Sequence, residues 1–179
     1  MPDPARLAAA VYEELRRRAR RILASARGVT WIQPSDLVHD VYVKMMAGKS
    51  VDWRGRTHFT AVASRQLRHV LVDAVRAERA AKRGGDVRLT TLDAQHVAGP
   101  DAQPLDVLAV DEALRRLEQR NERRATVVVL RLFGGLTVEE IAGYLDVSEK
   151  TVKNHWRIAK AWLLKELSLH AGDDARGAT

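Results

Sequence analysis

The sequence predicts an all-α protein of two small helical domains joined by a flexible linker, and three observations predict it. Apolar residues recur at three- and four-residue spacing along most of the chain. Helix-cap residues and glycine stops punctuate those runs. Residues 84–105 interrupt the pattern with Gly84-Gly85, Gly99-Pro100 and Pro104, a stretch long for a loop within one compact domain. The boundaries that follow are a first domain over 1–83, a linker over 84–105, a second domain of four helices over 106–170 and a disordered tail over 171–179.

Charge divides along the same boundaries. The 179 residues carry +7 overall, but residues 1–83 hold 17 Lys/Arg against 8 Asp/Glu, residues 84–105 hold 1 against 3, and residues 106–179 hold 12 against 12. A strongly basic first half points to a polyanionic partner. Cysteine is absent, which is compatible with a reducing cytoplasm and excludes disulfide or thiolate chemistry. No apolar run approaches the roughly 18 residues of a membrane span, and no signal-peptide core follows the N-terminus. The expectation is a soluble cytoplasmic protein with no membrane partner.

The first helix begins at Asp3-Pro4, a cap residue followed by proline at the first helical position. Leu7, Val11, Leu15 and Ile22 recur at helical spacing among Arg16, Arg17, Arg18, Arg20 and Arg21, and the run ends near Gly28. Pro34 starts the second helix, over QPSDLVHDVYVKMM. Its Leu37, Val38, Val41, Tyr42 and Met45 share one side. Asp36, His39, Asp40 and Val43 share the other, where an apolar residue between carboxylates suggests a docking surface.

GKSVDWRGRT, residues 48–57, reads as a loop in which Thr57 caps the long helix that follows. From Phe59 to about Lys82 the apolar set is Phe59, Val62, Ala63, Leu67, Val70, Leu71, Ala74, Ala77 and Ala81. Arg65, Arg68, Arg76, Arg79 and Arg83 lie opposite, along a rod of roughly 36 Å at 1.5 Å per residue. A solvated face usually mixes signs, whereas here only Asp73 and Glu78 interrupt the arginines, so the stripe fits a phosphate backbone. The linker is partly extended around Val87 to Leu92.

The second helical array begins at Asp106. Leu108, Leu114 and Leu117 form its first stripe, Asn121 caps the next helix, and Val127 to Phe133 are largely buried before Gly134-Gly135 stops it. Residues 137–163, TVEEIAGYLDVSEKTVKNHWRIAKAWL, then carry the signature of a helix-turn-helix. Thr137 and Glu140 form a capping box. Val138, Ile141, Ala142 and Leu145 share a face, Asp146 tolerates a left-handed turn, and Ser148 caps the last helix. Val152, Trp156, Ala159 and Leu163 make the apolar stripe of that helix, and Ile158 and Trp162 give it a second apolar side. Lys150, Lys153, Asn154 and Arg157 project elsewhere, and these are side-chain types that pair with base edges and phosphates.

Catalytic chemistry finds no support. His39-Asp40 is the only adjacent pair with a metal-site flavour, and His58, His69, His96, His155 and His170 supply no spacing that completes one. No Gly-rich phosphate loop or nucleophile motif is present. The expectation is no metal, no cofactor and no enzyme activity.

Taken together, SDLVHDVYVKMM, HFTAVASRQLRHVLVDAVRAERAAKRGG and LRLFGGLTVEEIAGYLDVSEKTVKNHWRIAKAWL resemble, in order and separation, the extracytoplasmic-function (ECF) group of bacterial sigma factors of the sigma-70 family, over about residues 5–170. That resemblance implies two partners, core RNA polymerase and promoter DNA. Asp36, His39, Asp40 and Val43 would face the polymerase clamp helices. Arg65, Arg68, His69, Arg76 and Arg79 would meet the melted minus-ten element. Thr137, Lys150, Thr151, Lys153, Asn154, Arg157 and Lys160 would read the minus-thirty-five element, and the slightly acidic linker would thread the polymerase near the RNA exit path. An anti-sigma protein or a kinase is the further partner class it implies, although no residue reports which.

One departure stands out. The family commonly carries glutamine where His39 stands and more acid than Gln33-Pro34-Ser35 supplies, which predicts weaker docking, or docking conditional on pH or on modification of Ser35. A LuxR-type regulator, which shares a TVKNH-like segment, explains residues 106–170 but not the docking face or the arginine stripe.

Overall fold

The structure, a computed structural model, describes residues 4–26, 28–47, 54–83 and 106–176. Among these, all regular structure is helical: α1 (Pro4–Ser25), α2 (Pro34–Ala47), α3 (Arg56–Arg83), α4 (Val107–Arg120), α5 (Glu122–Val129), α6 (Val138–Leu145) and α7 (Glu149–Arg176), with a single π-helical turn over Leu130–Gly134 that prolongs α5. The linker, including the extended stretch expected around Val87 to Leu92, lies outside the described residues.

α1, α2 and α3 pack on one another through the sides the spacing assigned to them. Val11, Leu15, Leu37, Val38, Val41, Phe59, Leu67 and Leu71 are all buried. α3 begins at Arg56, one residue before the expected Thr57 cap, because the Gly55 carbonyl already accepts from the Phe59 amide at 3.0 Å. Its buried face ends at Val75; Ala77 and Ala81 are exposed, contrary to their place in the apolar set. Val72, outside that set, is buried instead, lining a cavity shared with Val107, Val110 and Leu132 of the second half.

α4 to α7 form the expected four-helix array. Leu114, Leu117, Ala125, Val128 and Ala159 are buried in one cluster with the core of α1–α3, so hydrophobic packing runs across the division between the halves. A second cluster of Val127, Leu130, Leu136, Ile141, Ala142 and Val152 centres on the helix-turn-helix and also takes in Ala61 of α3. α3 packs against α4 and the π turn, and α1 against the π turn as well.

The π turn was not legible in the glycine signal, which showed only where the helix stops. Gly135 stops it in the left-handed region at φ 67°, its amide donating to the Leu130 carbonyl. Gly134 serves a different need. A Cβ there would lie 2.2 Å from Ser64 Oγ, so only glycine lets the turn sit this close to α3. At the other end of the chain α7 continues through Arg176, into the segment expected to be a disordered tail, because a lone Gly172 costs only about 1 kcal/mol in a helix and no proline follows it.

Candidate nucleic-acid interface

The helix-turn-helix is built by local signals. Thr137 Oγ1 accepts from the Glu140 amide at 3.1 Å while the Glu140 carboxylate accepts from the Thr137 amide at 2.8 Å, so two free donors of the first turn are satisfied together. Asp146 closes α6 in the left-handed region at φ 51°. Ser148 then accepts from the Thr151 amide at 3.1 Å and starts α7. Replacing Thr137 with Ala removes half of the box and should cost about 1 kcal/mol in a thermal or urea melt; an unchanged midpoint would mean that packing alone sets the start of α6.

Val152, Ala159 and Leu163 of α7 are buried, and Trp156 is half-buried under the Arg131 guanidinium at 4.9 Å. Trp162 carries Arg120 at 5.5 Å in the same way. These contacts fix the rotation of α7 about its axis, and with it the outward face. Lys150, Lys153, Asn154, Arg157 and Lys160 are exposed on that face, and Thr151 is half-buried beside them. Asn154 Oδ1 accepts from Arg157 at 3.1 Å, and Lys153 reaches Glu149 at 3.1 Å, contacts in water that give way readily to a stronger anion. Thr137 is exposed, but its hydroxyl is committed to the cap. Behind the face, burial and then the charges of Arg124 and Arg123 push the His155 imidazole below its ordinary range.

α2 presents the expected docking side. Asp36, His39, Asp40 and Val43 are all exposed, Val43 at 48%, while Leu37, Val38, Val41 and Met45 are buried beneath them.

The α3 arginines do not all face water. Arg65 is exposed and donates to the Tyr144 hydroxyl at 3.4 Å, and His69 is exposed beside a cleft of about 260 Å³ lined in part by Lys44, Gln66, Asp73, Arg76 and Arg115. Arg68, expected on the DNA-facing side, is 4% exposed. Its Nε donates to Asp111 Oδ1 at 2.9 Å, its Nη2 to the Asp111 carbonyl at 3.3 Å, and its Nη1 to Glu118. Arg76 donates to the other Asp111 oxygen at 3.0 Å, and Arg79 reaches Asp106 at 2.9 Å. Helical angle had placed Arg68 with the solvent-facing cations; α4 covers it from 43 residues away. The side chain of Arg83 lies outside the described residues.

Asp111 is the residue that sequence reasoning missed. It is 4% exposed and holds Arg68, Arg76 and Arg115 at once. The signal was present: Asp111 precedes Leu114 by three residues, so a carboxylate sits on the apolar stripe of α4, and such a residue needs a buried cation. Breaking a buried pair of this kind by removing one partner typically costs about 3–5 kcal/mol. At the N-terminal cap of α4, burial alone would raise Asp106, but the Arg79 hydrogen bond and the amides of Ala109 and Leu108 outweigh it and hold the carboxyl below its usual range.

A capped, tight-turned helix pair with a cationic outward face on its second helix defines a DNA-binding helix-turn-helix protein. The chain as a whole matches the family model described as ECF sigma factor over residues 3–169, and it belongs to that family. No curated protein and no solved structure gave a match. Membership decides against the LuxR-type reading and makes the chain a sigma factor acting in transcription initiation, with RNA polymerase and promoter DNA as the partners the family implies. Among the described residues no helix is long and apolar enough to cross a membrane, and no group of His, Asp or Glu is placed to hold a metal ion.

Proposed function

We propose that this sigma factor docks core RNA polymerase through Asp36, His39, Asp40 and Val43 on α2, opens the minus-ten element along α3, and holds the minus-thirty-five element with Lys150, Lys153, Asn154, Arg157 and Lys160 on α7. The supporting observation is that one chain of this family displays two unlike exposed surfaces on separate, well-packed helices: carboxylates around a valine on α2, and amide and cationic side chains on α7. The first suits a protein partner with a basic rim, and the second suits a major groove. Transcription in vitro with core polymerase and a library of promoter fragments tests the whole reading; no transcript above core polymerase alone would refute it.

Two results are expected of variants in that assay. Lys153→Ala with Arg157→Ala should lose promoter discrimination, about 1–3 kcal/mol for each base contact, while co-elution with core polymerase is retained. Unchanged promoter choice and affinity would show that the reading face lies elsewhere. Arg65→Ala with Arg76→Ala should weaken strand opening in permanganate footprints and flatten the salt dependence by about 0.7–0.9 log units per lost phosphate contact. Arg68 is left out of this pair, because it is itself buried and its side chain makes the most deeply buried of the three contacts to Asp111, whereas Arg76 is half exposed and its loss leaves Asp111 paired with Arg68 and Arg115. Normal opening across the salt range would remove the assignment from α3.

A further inference from the structure

A cavity of about 200 Å³ lies where four elements meet. Ile22 of α1, Leu71 and Val72 of α3, Val107 and Val110 of α4, and Phe133 of the π turn give it apolar walls. Most of the polar groups on those walls are satisfied by one another. Ser25 spends its hydroxyl on the Ile22 carbonyl at 2.9 Å, and Arg68 donates to Asp111 at 2.9 Å. Arg18 and Arg21 also line the cavity, and among the described residues neither forms an ion pair. Glu14, the acid whose charge reaches Arg18, is already paired with Arg56. Two cations therefore share an apolar recess without a counter-ion.

From this arrangement we propose that the cavity binds a small amphiphilic anion, a carboxylate on an apolar body of about six to eight carbons, with the tail among the valines and the head on Arg18 and Arg21. Size sets the tail. An apolar cavity of about 150 Å³ stays dry and takes benzene, so a space of 200 Å³ suits a body somewhat larger and is too small for the paired tails of a membrane lipid. Charge sets the head. Burial, and then the charge of Arg21, push the Arg18 guanidinium below its ordinary value against a smaller pull from Glu14, and a bound anion relieves that penalty. Position is fixed in advance, since the Arg18 guanidinium rests on Gly135, where any Cβ would collide with it. A planar guanidinium held in this way presents its donors to a carboxylate at little cost in side-chain order. Neither arginine belongs to the proposed polymerase or promoter contacts, so the site stands or falls apart from that reading.

Octanoate, used below its micelle concentration on the full chain, is the probe. Octanol carries the same tail without charge, octylammonium carries it with the opposite charge, and acetate is the head alone. Calorimetric titration should show one saturable octanoate site per chain, and the melting midpoint should rise with octanoate concentration. Acetate and octylammonium should do neither. Arg21→Gln, a change at an exposed residue, should weaken octanoate by about tenfold, the usual scale of one charge-assisted contact, and leave octanol where it was. Val110→Phe, which fills the cavity, should abolish binding of both. Absence of a saturable octanoate site overturns the proposal, as does octylammonium binding equally well. Octanoate affinity unmoved by Arg21→Gln or by a folded Val110→Phe variant overturns it too. A midpoint that rises with protein concentration in place of octanoate would make a second copy of the chain the occupant, and would overturn it likewise.

Discussion

Val43→Asp combined with Asp40→Arg should abolish co-elution with core RNA polymerase while leaving the thermal melt of the free protein in place. The two halves of this expectation come from the two sides of α2. Its buried side, Leu37, Val38, Val41 and Met45, is complete without either residue, and both Asp40 and Val43 are exposed. Substitutions at such positions usually change stability by no more than about 0.5 kcal/mol. In a desolvated contact the same changes act differently: the new aspartate is buried without a partner, and the new arginine turns an attraction into a repulsion. Losses of about 2–5 kcal/mol are typical of that situation, and each 1.4 kcal/mol is about tenfold in affinity. A folded double variant that still co-elutes would remove the docking surface from α2. The His39 departure adds a milder arm: His39→Gln should strengthen co-elution if the family's usual glutamine makes the better contact.

What was legible in the sequence was what neighbouring residues decide. The Thr137–Glu140 box, the left-handed Asp146 and the Ser148 cap each involve partners within three or four positions, and all three formed as the residue types dictate. The outward set of α7 followed for the same reason, since the angle per residue and one apolar stripe fix a helix's rotation. The α2 side of Asp36, His39, Asp40 and Val43 was equally readable. Arg68 was not. Its angle on α3 is that of a surface arginine, and only the arrival of α4, with Asp111 and Glu118 at separations of 43 and 50 residues, turns that surface into an interior. Val72 and Ser64 share this origin: both are buried where the second half meets α3. The charge count made the first half a cationic surface seeking an external polyanion, whereas part of that charge is answered within the chain.

Ile141→Ala should make promoter recognition temperature-sensitive, unlike the loss of Lys153 and Arg157, which should weaken recognition at every temperature. Ile141 is fully buried between the two helices of the helix-turn-helix, in a cluster with Val127, Leu130 and Val152, each at 0% exposure. Truncating a buried isoleucine to alanine costs about 2–5 kcal/mol, through lost transfer energy and the cavity left behind. In a chain of this size each 1 kcal/mol moves the melting midpoint by about 2–4 °C. The variant should therefore melt well below wild type, yet stay folded when cool, because a domain commonly has about 5–15 kcal/mol in hand. None of its surface charges changes, so α7 presents the same face whenever the core is intact. Binding to an upstream promoter fragment should equal wild type in the cold and fall steeply through the variant's own melt. Affinity lost already in the cold would show that Ile141 sets the angle of α7 and does not merely hold it in place; a melt unchanged from wild type would show that the second cluster is not what keeps the reading helix folded.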